Sequence, residues 1–172
     1  MNTLLVEGMT LEPQTSAHAD EMFAVLSDPA IYKYENEPPA SVEWLRNRYR
    51  QLETRRSPDG SQQWLNWVVR LPDSRLAGYV QATVGAEGHC HIAYIFASAF
   101  WGKGYAFESV EAMIAELAAS YGARTLWAVF KEDNSRSYRL LERLAFHPAA
   151  PADYRRHGVE SDEMLMTRVS YL

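Results

Sequence analysis

Apolar residues recur along this chain in two periods, and the switches between them mark out its elements. Residues 4–11 read as an opening strand, interrupted at Gly8. Met22, Phe23 and Leu26 share one face of a helix over about 17–26, with Ser16 as its N-cap and Asp28-Pro29 as its end. Residues 32–39 form a loop rich in aromatics and acids, and Ser41 opens a second helix running to about residue 55. Residues 64–71, 76–84 and 90–96 have strand character. The short turns at Pro72-Asp73-Ser74 and Gly85-Ala86-Glu87-Gly88 predict that they pair antiparallel. Phe107, Val110, Ile114, Leu117 and Tyr121 then recur at helical spacing over 105–121, and Gly122 supplies the C-terminal cap. A strand over 125–130, a helix over 134–144 and a closing strand over 163–169 complete the pattern.

A strand, a crossover helix and the next strand make a parallel unit. The order therefore predicts an α/β fold with a mixed sheet. Antiparallel N-terminal strands give way to parallel strands around a central helix. At 172 residues the chain suits a single domain over 1–172. A hydrophobic fraction of 47% and a charged fraction of 23% place it among ordered globular proteins. The net charge of -5 offers no general basic surface, so no nucleic acid is expected as a partner. The most apolar run, residues 92–101, is far short of the about 20 residues a bilayer requires, so no membrane is expected either. Cys90 is the one cysteine, which excludes an intrachain disulfide and a thiolate zinc site and favours a reducing, cytoplasmic setting. The first residues reach Glu7 without a long apolar stretch and do not read as a signal peptide. No acidic cluster suits magnesium, and no metal is expected.

The densest chemistry lies at Phe100-Trp101-Gly102-Lys103-Gly104-Tyr105-Ala106, between a strand and the long helix. Two glycines and a small alanine let backbone amides approach a ligand closely. The first turn of the helix adds unpaired N–H groups and the positive end of its dipole, which together make an anion site sized for a pyrophosphate. Lys103 can add a charge. The turn is not a nucleotide P-loop, because no Gly-Lys-Ser/Thr follows a glycine at the required spacing. It is not a dinucleotide fingerprint, because Phe107 stands in place of the third glycine.

Ile92-Ala93-Tyr94-Ile95-Phe96, followed by residues 100–110, resembles the coenzyme A-binding motif of the GNAT N-acetyltransferase superfamily. Asn134-Ser135-Arg136-Ser137, followed by residues 140–146, resembles the second signature of that family. The branch most similar is that of ribosomal-protein N-terminal (alanine) acetyltransferases, which share the Trp-Gly-Lys-Gly-Tyr-Ala stretch and the Asn-x-x-Ser helix start. The resemblance implies a GNAT-like fold and acetyl-CoA as co-substrate. It implies that the amides of Trp101, Gly102, Lys103, Gly104, Tyr105 and Ala106 hold the pyrophosphate. Tyr94, Ile95, Phe96 and Ala97 would pair with the pantetheine arm like an added strand. Asn134 and Ser137 would lie beside the thioester. The sequence departs from the family at Leu141, where many members have a tyrosine acid, at His91, where the branch often has an acid, and at Ala145, where glycine is usual.

Acetyl transfer to an amine needs a group that removes the amine's proton, donors aimed at the oxyanion and a weak acid for the thiolate. His91 titrates near neutrality and precedes the motif, which makes it the base to test, against the alternative of an ordinary sheet histidine. Ser137 is the group to donate to the thiolate, or else a helix-start hydroxyl capping its own backbone. Tyr34, Glu35 and Glu37 suit a cationic amine in the loop between the first two helices, or else form a solvated loop. Two functions follow. One is an N-acetyltransferase acting on a protein N-terminus or a small-molecule amine. The other, supported by Leu141, is a GNAT-fold protein that holds acyl-CoA without turnover. A homodimer is left open.

Overall fold

A computed structural model of the chain describes residues 1–34 and 37–169. In chain order the elements are β1 (Leu4–Val6), β2 (Met9–Pro13), α1 (Ala19–Leu26), α2 (Val42–Leu52), β3 (Gln63–Arg70), β4 (Leu76–Val84), β5 (His89–Phe96) and α3 (Tyr105–Tyr121). There follow β6 (Thr125–Lys131), α4 (Ser135–Arg143), β7 (His147–Pro148), α5 (Pro151–Arg156) and β8 (Glu163–Val169). The strands form one sheet in the order β1-β2-β3-β4-β5-β6-β8-β7.

The mixed α/β architecture is the expected one, with three local differences. The opening strand is a hairpin: Val6 faces Met9 across Glu7-Gly8, and Gly8 takes a φ of 75°. A two-residue loop of this kind needs positive φ, which glycine supplies. The first helix begins later than the Ser16 cap predicts, because the chain enters it through a 3-10 turn over Ser16–His18. The last strand, β8, runs antiparallel to β6. The strand that returns parallel to β6 after α4 is β7, only two residues long, and β8 inserts between the two. The parallel pairing in the described sheet is that of β5 with β6, across the α3 crossover.

The sheet is covered on both faces. On one, Trp67, Val69, Val80 and Ile92 pack with Val110, Met113 and Leu117 of α3 and with Leu141 and Leu144. On the other, Val68 and Leu76 pack with Met22 and Leu26 of α1 and with Leu45 and Tyr49 of α2. The α3 helix runs to the residues its pattern predicts, and Gly122 closes it at a φ of 64°.

Two backbone features set up the site. β5 and β6 are bonded only through His89–Thr125, Cys90–Leu126 and His91–Trp127. Beyond these pairs β5 continues to Phe96 and β6 to Lys131, and the two strands part. On the other side of β5, Gly78 faces Phe96. A Cβ on Gly78 would lie 2.0 Å from the Ile95 carbonyl oxygen, so only glycine lets β4 press this closely behind the parted strand.

Candidate active site

Past its pairing with β6, β5 lines a cleft of about 480 Å³, within the range of small-molecule sites. Tyr94, Ile95 and Phe96 of β5 form one wall. Trp101, Gly102, Gly104 and Ala106 form the end at α3, and Asn134 and Ser137 stand at the start of α4. The two halves of the predicted coenzyme site therefore meet in one cavity.

The α3 end is built for an anion. Gly102 and Gly104 take φ values of 72° and 89°, the left-handed region that glycine tolerates. Gly104 is the N-cap of α3 and brings no side chain to bond the first-turn amides. Those N–H groups remain directed out of the helix end. Trp101 is fixed by its indole N–H, which donates to the Phe96 carbonyl at 2.8 Å. Ala97, Lys103 and Tyr105 do not line the cavity. Ala97 is buried and donates to Ala77, Lys103 is exposed with its ammonium 5.7 Å from the Phe100 ring, and Tyr105 packs edge-on against Phe100.

At α4, Asn134 accepts from the Ser137 backbone N–H at 3.2 Å and so caps the helix. That job is therefore not done by the Ser137 hydroxyl, which stays free to face the cleft. Leu141, by contrast, is 1% exposed in the core, so this position points away from the cleft. The sequence reading missed a basic stripe. Arg136, Arg139 and Arg143 line the cavity with Leu140. Arg136 lies 4.0 Å from the Trp101 ring and Arg143 4.4 Å from Phe107. Their spacing of three and four residues along one helix was the available signal.

The opposite lip comes from the segment after α1. Ala30, Ile31 and Tyr34 line the cavity, carried on a 3-10 turn over Pro29–Lys33. Asp28 caps that turn, accepting from Ala30 N–H at 3.0 Å, and also accepts from Ser98 N–H at 2.6 Å. Hydrogen bonds from Ser98 hold its carboxyl below the usual aspartate value. Glu37 is exposed and outside the cavity lining, and Glu35 lies outside the described residues.

His91 does not line the cleft. It points to the face of α1 and α2, and its Nε2 lies 2.9 Å from Nδ1 of His157. Desolvation, followed by the neighbouring His157 and His89, lowers its pKa. Cys90 is buried, and desolvation pushes its thiol up to about 12, which disfavours the thiolate a nucleophile needs. No group of three or more His, Cys, Asp or Glu among the described residues is arranged for a metal ion. No described helix is long and apolar enough to cross a membrane.

The profile of the acetyltransferase (GNAT) domain matches residues 9–147. The chain is 28% identical over 148 residues to the uncharacterized N-acetyltransferase p20 of Bacillus licheniformis, covering 85% of this chain and 83% of that protein. Among solved structures, it is similar to the ribosomal-protein-S5-alanine acetyltransferase of Vibrio fischeri, with a TM-score of 0.82, 17% identity and coverage of 98% and 97%. It is similar to the ribosomal L7/L12 α-N-protein acetyltransferase RimL in complex with coenzyme A, with a TM-score of 0.81, 15% identity and coverage of 98% of each chain. It is also similar to the microcin C7 self-immunity acetyltransferase MccE in complex with acetyl-CoA and AMP, with a TM-score of 0.79, 18% identity and coverage of 95% and 93%. With the anion cradle and the parted strands in place, the chain belongs to the acetyltransferase (GNAT) family and is an acetyl-CoA-dependent N-acetyltransferase.

Proposed function

We propose that this protein moves the acetyl group of acetyl-CoA to a primary amine, by direct attack with both reactants bound. The observation that carries this reading is the uncapped α3 N-terminus at Gly104, opening into a cleft that also holds Asn134, Ser137 and three arginines. The residues present fit a long anionic thioester. The α3 amides and Gly102 take the pyrophosphate, Arg136, Arg139 and Arg143 add positive charge, and the stretch of β5 past its pairing with β6, at Tyr94, Ile95 and Phe96, offers its β6-side edge to the arm. Bound acetyl-CoA supplies the activated acyl group.

The chain's own residues then position and move protons. A backbone N–H of the β5 wall takes up the negative charge on the carbonyl oxygen. The Ser137 hydroxyl donates a hydrogen bond to the departing thiolate, which then takes its proton from solvent. The amine enters over Ala30, Ile31 and Tyr34, and Glu35 and Glu37 attract its charge. His91, outside the cleft lining, receives its proton by way of water. The ribosomal-protein acetyltransferases among the similar folds favour a protein N-terminus as acceptor.

Isothermal titration with acetyl-CoA tests the site, on wild type, Gly104→Ala and Gly104→Glu. The space around the Gly104 Cβ is open, so both variants carry the same backbone strain and only one adds a charge. Micromolar binding by wild type, retained in Gly104→Ala and lost in Gly104→Glu, is expected. Folded wild type that binds no acetyl-CoA would sink the proposal. Release of free CoA thiol with peptide or small-molecule amines then separates turnover from binding alone.

A further inference from the structure

His91 stands at the last position of β5 that pairs with β6, opposite Trp127 of β6 and Thr83 of β4. It shares a face of the sheet with Ala93 and Ile95, since side chains alternate, and Ile95 lines the cleft. His157 closes α5 and lays its ring against Trp127, with centroids 4.3 Å apart. Its Nδ1 meets Nε2 of His91 at 2.9 Å, and the two rings tilt by 52°. Trp127 is buried, and its indole N–H has no hydrogen-bond partner among the described residues, so it holds His157 by ring contact alone. Sequence reading gave His157 no role, because 66 residues separate it from His91.

We propose that His157 is a positioning residue for His91. It fixes the tautomer of the His91 ring and keeps it uncharged, so that the other ring nitrogen takes the proton the acceptor amine must lose. This rests on the acetyl-transfer reading above. One proton is shared in a bond between two neutral imidazoles. If Nε2 of His91 donates, Nδ1 of His157 accepts, and His157 carries its own proton on Nε2. If Nδ1 of His157 donates, His91 carries its proton on Nδ1. The two rings therefore have the same tautomer, and the proposal requires the first arrangement, with both protons on Nε2. That leaves Nδ1 of His91 as a lone pair. His91 is four residues from Ile95, about 13 Å along a strand, so the proton crosses on water. It passes from the amine nitrogen to Nδ1 of His91, makes an imidazolium and leaves to solvent before the next turnover.

The surroundings keep both rings neutral. Desolvation lowers the pKa of each. His89 on β5 faces both and disfavours charge, Arg156 on α5 does the same to His157, and Asp153 on α5 opposes it. The neighbours across the strands, Thr83 and Trp127, do not titrate. Double protonation would set two N–H donors against each other and break the bond.

Two measurements test the pairing and the role separately. Long-range proton–nitrogen NMR of the imidazoles reads the tautomers at pH 7.5 without any turnover. Both rings are expected neutral with the proton on Nε2. Opposite tautomers, both protons on Nδ1, or a free mixture on His91 would overturn the proposal. The pH dependence of kcat/KM is then compared in wild type, His157→Phe and His157→Asn. Phe keeps the contact with Trp127 and removes the nitrogen, and Asn restores a polar partner near the Nδ1 position. Removing the neighbouring imidazole raises the His91 pKa, so the acid limb moves up in His157→Phe. Its rate at pH 6 falls roughly two- to threefold more than its rate at pH 8, and His157→Asn recovers part of that difference. An equal loss at every pH would mark His157 as merely structural and overturn the proposal. Matched Nε2 tautomers in a protein that acetylates no amine would instead sink the acetyl-transfer reading.

Discussion

At the scale of single residues, much of the cavity lining was legible, from the glycine turn and the Asn134–Ser137 motif to Tyr34, while Ala97, Lys103, Tyr105, Glu37 and His91 fall outside it. Trp101, Gly102, Gly104 and Ala106 sit in one contiguous stretch whose glycines have a local conformational reason, and Asn134 and Ser137 are a short motif at a helix start. Arg136, Arg139 and Arg143 were visible as a periodic stripe, but a charged stripe also describes any solvated helix face. His157 carried no such signal, since its meaning depends on a partner from another element. Ala145 was read only as a departure from glycine. It follows α4 with a φ of 61°, where the Phe146 N–H bonds back to Leu141 at 2.9 Å. An alanine held in this left-handed conformation is strained. Ala145→Gly should therefore stabilise the protein by about 0.5–1 kcal/mol, read as a higher urea midpoint with an unchanged slope and unchanged acetyl-CoA binding.

At the scale of elements, the strong periodicities fixed β3, β4, β5 and α3, whereas weak or short segments escaped. The β1–β2 turn is Glu7-Gly8, a poorer hairpin signal than Asn-Gly or Asp-Gly. β7 has two residues, too few for any period. Asp28 shows how a residue read as a terminator joins elements. Its carboxylate receives the N–H groups of Ala30 and Ser98, tying the acceptor lip to the loop before the anion cradle. Asp28→Ala should lower stability by about 1–2 kcal/mol and weaken acetyl-CoA binding. The pH dependence has a definite sign. The folded-state pKa lies below 3.8, so the contribution is complete above about pH 4 and fades as pH falls through the folded value. Melting temperatures of the two proteins should differ at neutral pH and converge in acid, and a constant difference from pH 2 to 7 would refute this role.

At the scale of the whole molecule, an overall charge of -5 faces a strongly anionic ligand. The arginines of α4 must reverse that field locally. Their contribution is screened by salt, with a Debye length of about 10 Å at 0.1 M. Acetyl-CoA affinity should fall roughly three- to tenfold between 0.05 and 0.5 M salt, and Arg136→Ala with Arg139→Ala should flatten that slope in the same titration. Topology was legible up to the α3 crossover, since local patterns set it, and β8 was placed wrongly in direction because insertion between two existing strands leaves no mark on its own residues. The seam at His89, Cys90 and His91 has a mechanical meaning. Three paired positions and the α3 crossover link β5 to β6, and past His91 the two strands run on without pairing to each other. A ligand lying across the gap is thus a clasp on the fold itself, and the empty protein breathes where the filled one is pinned shut.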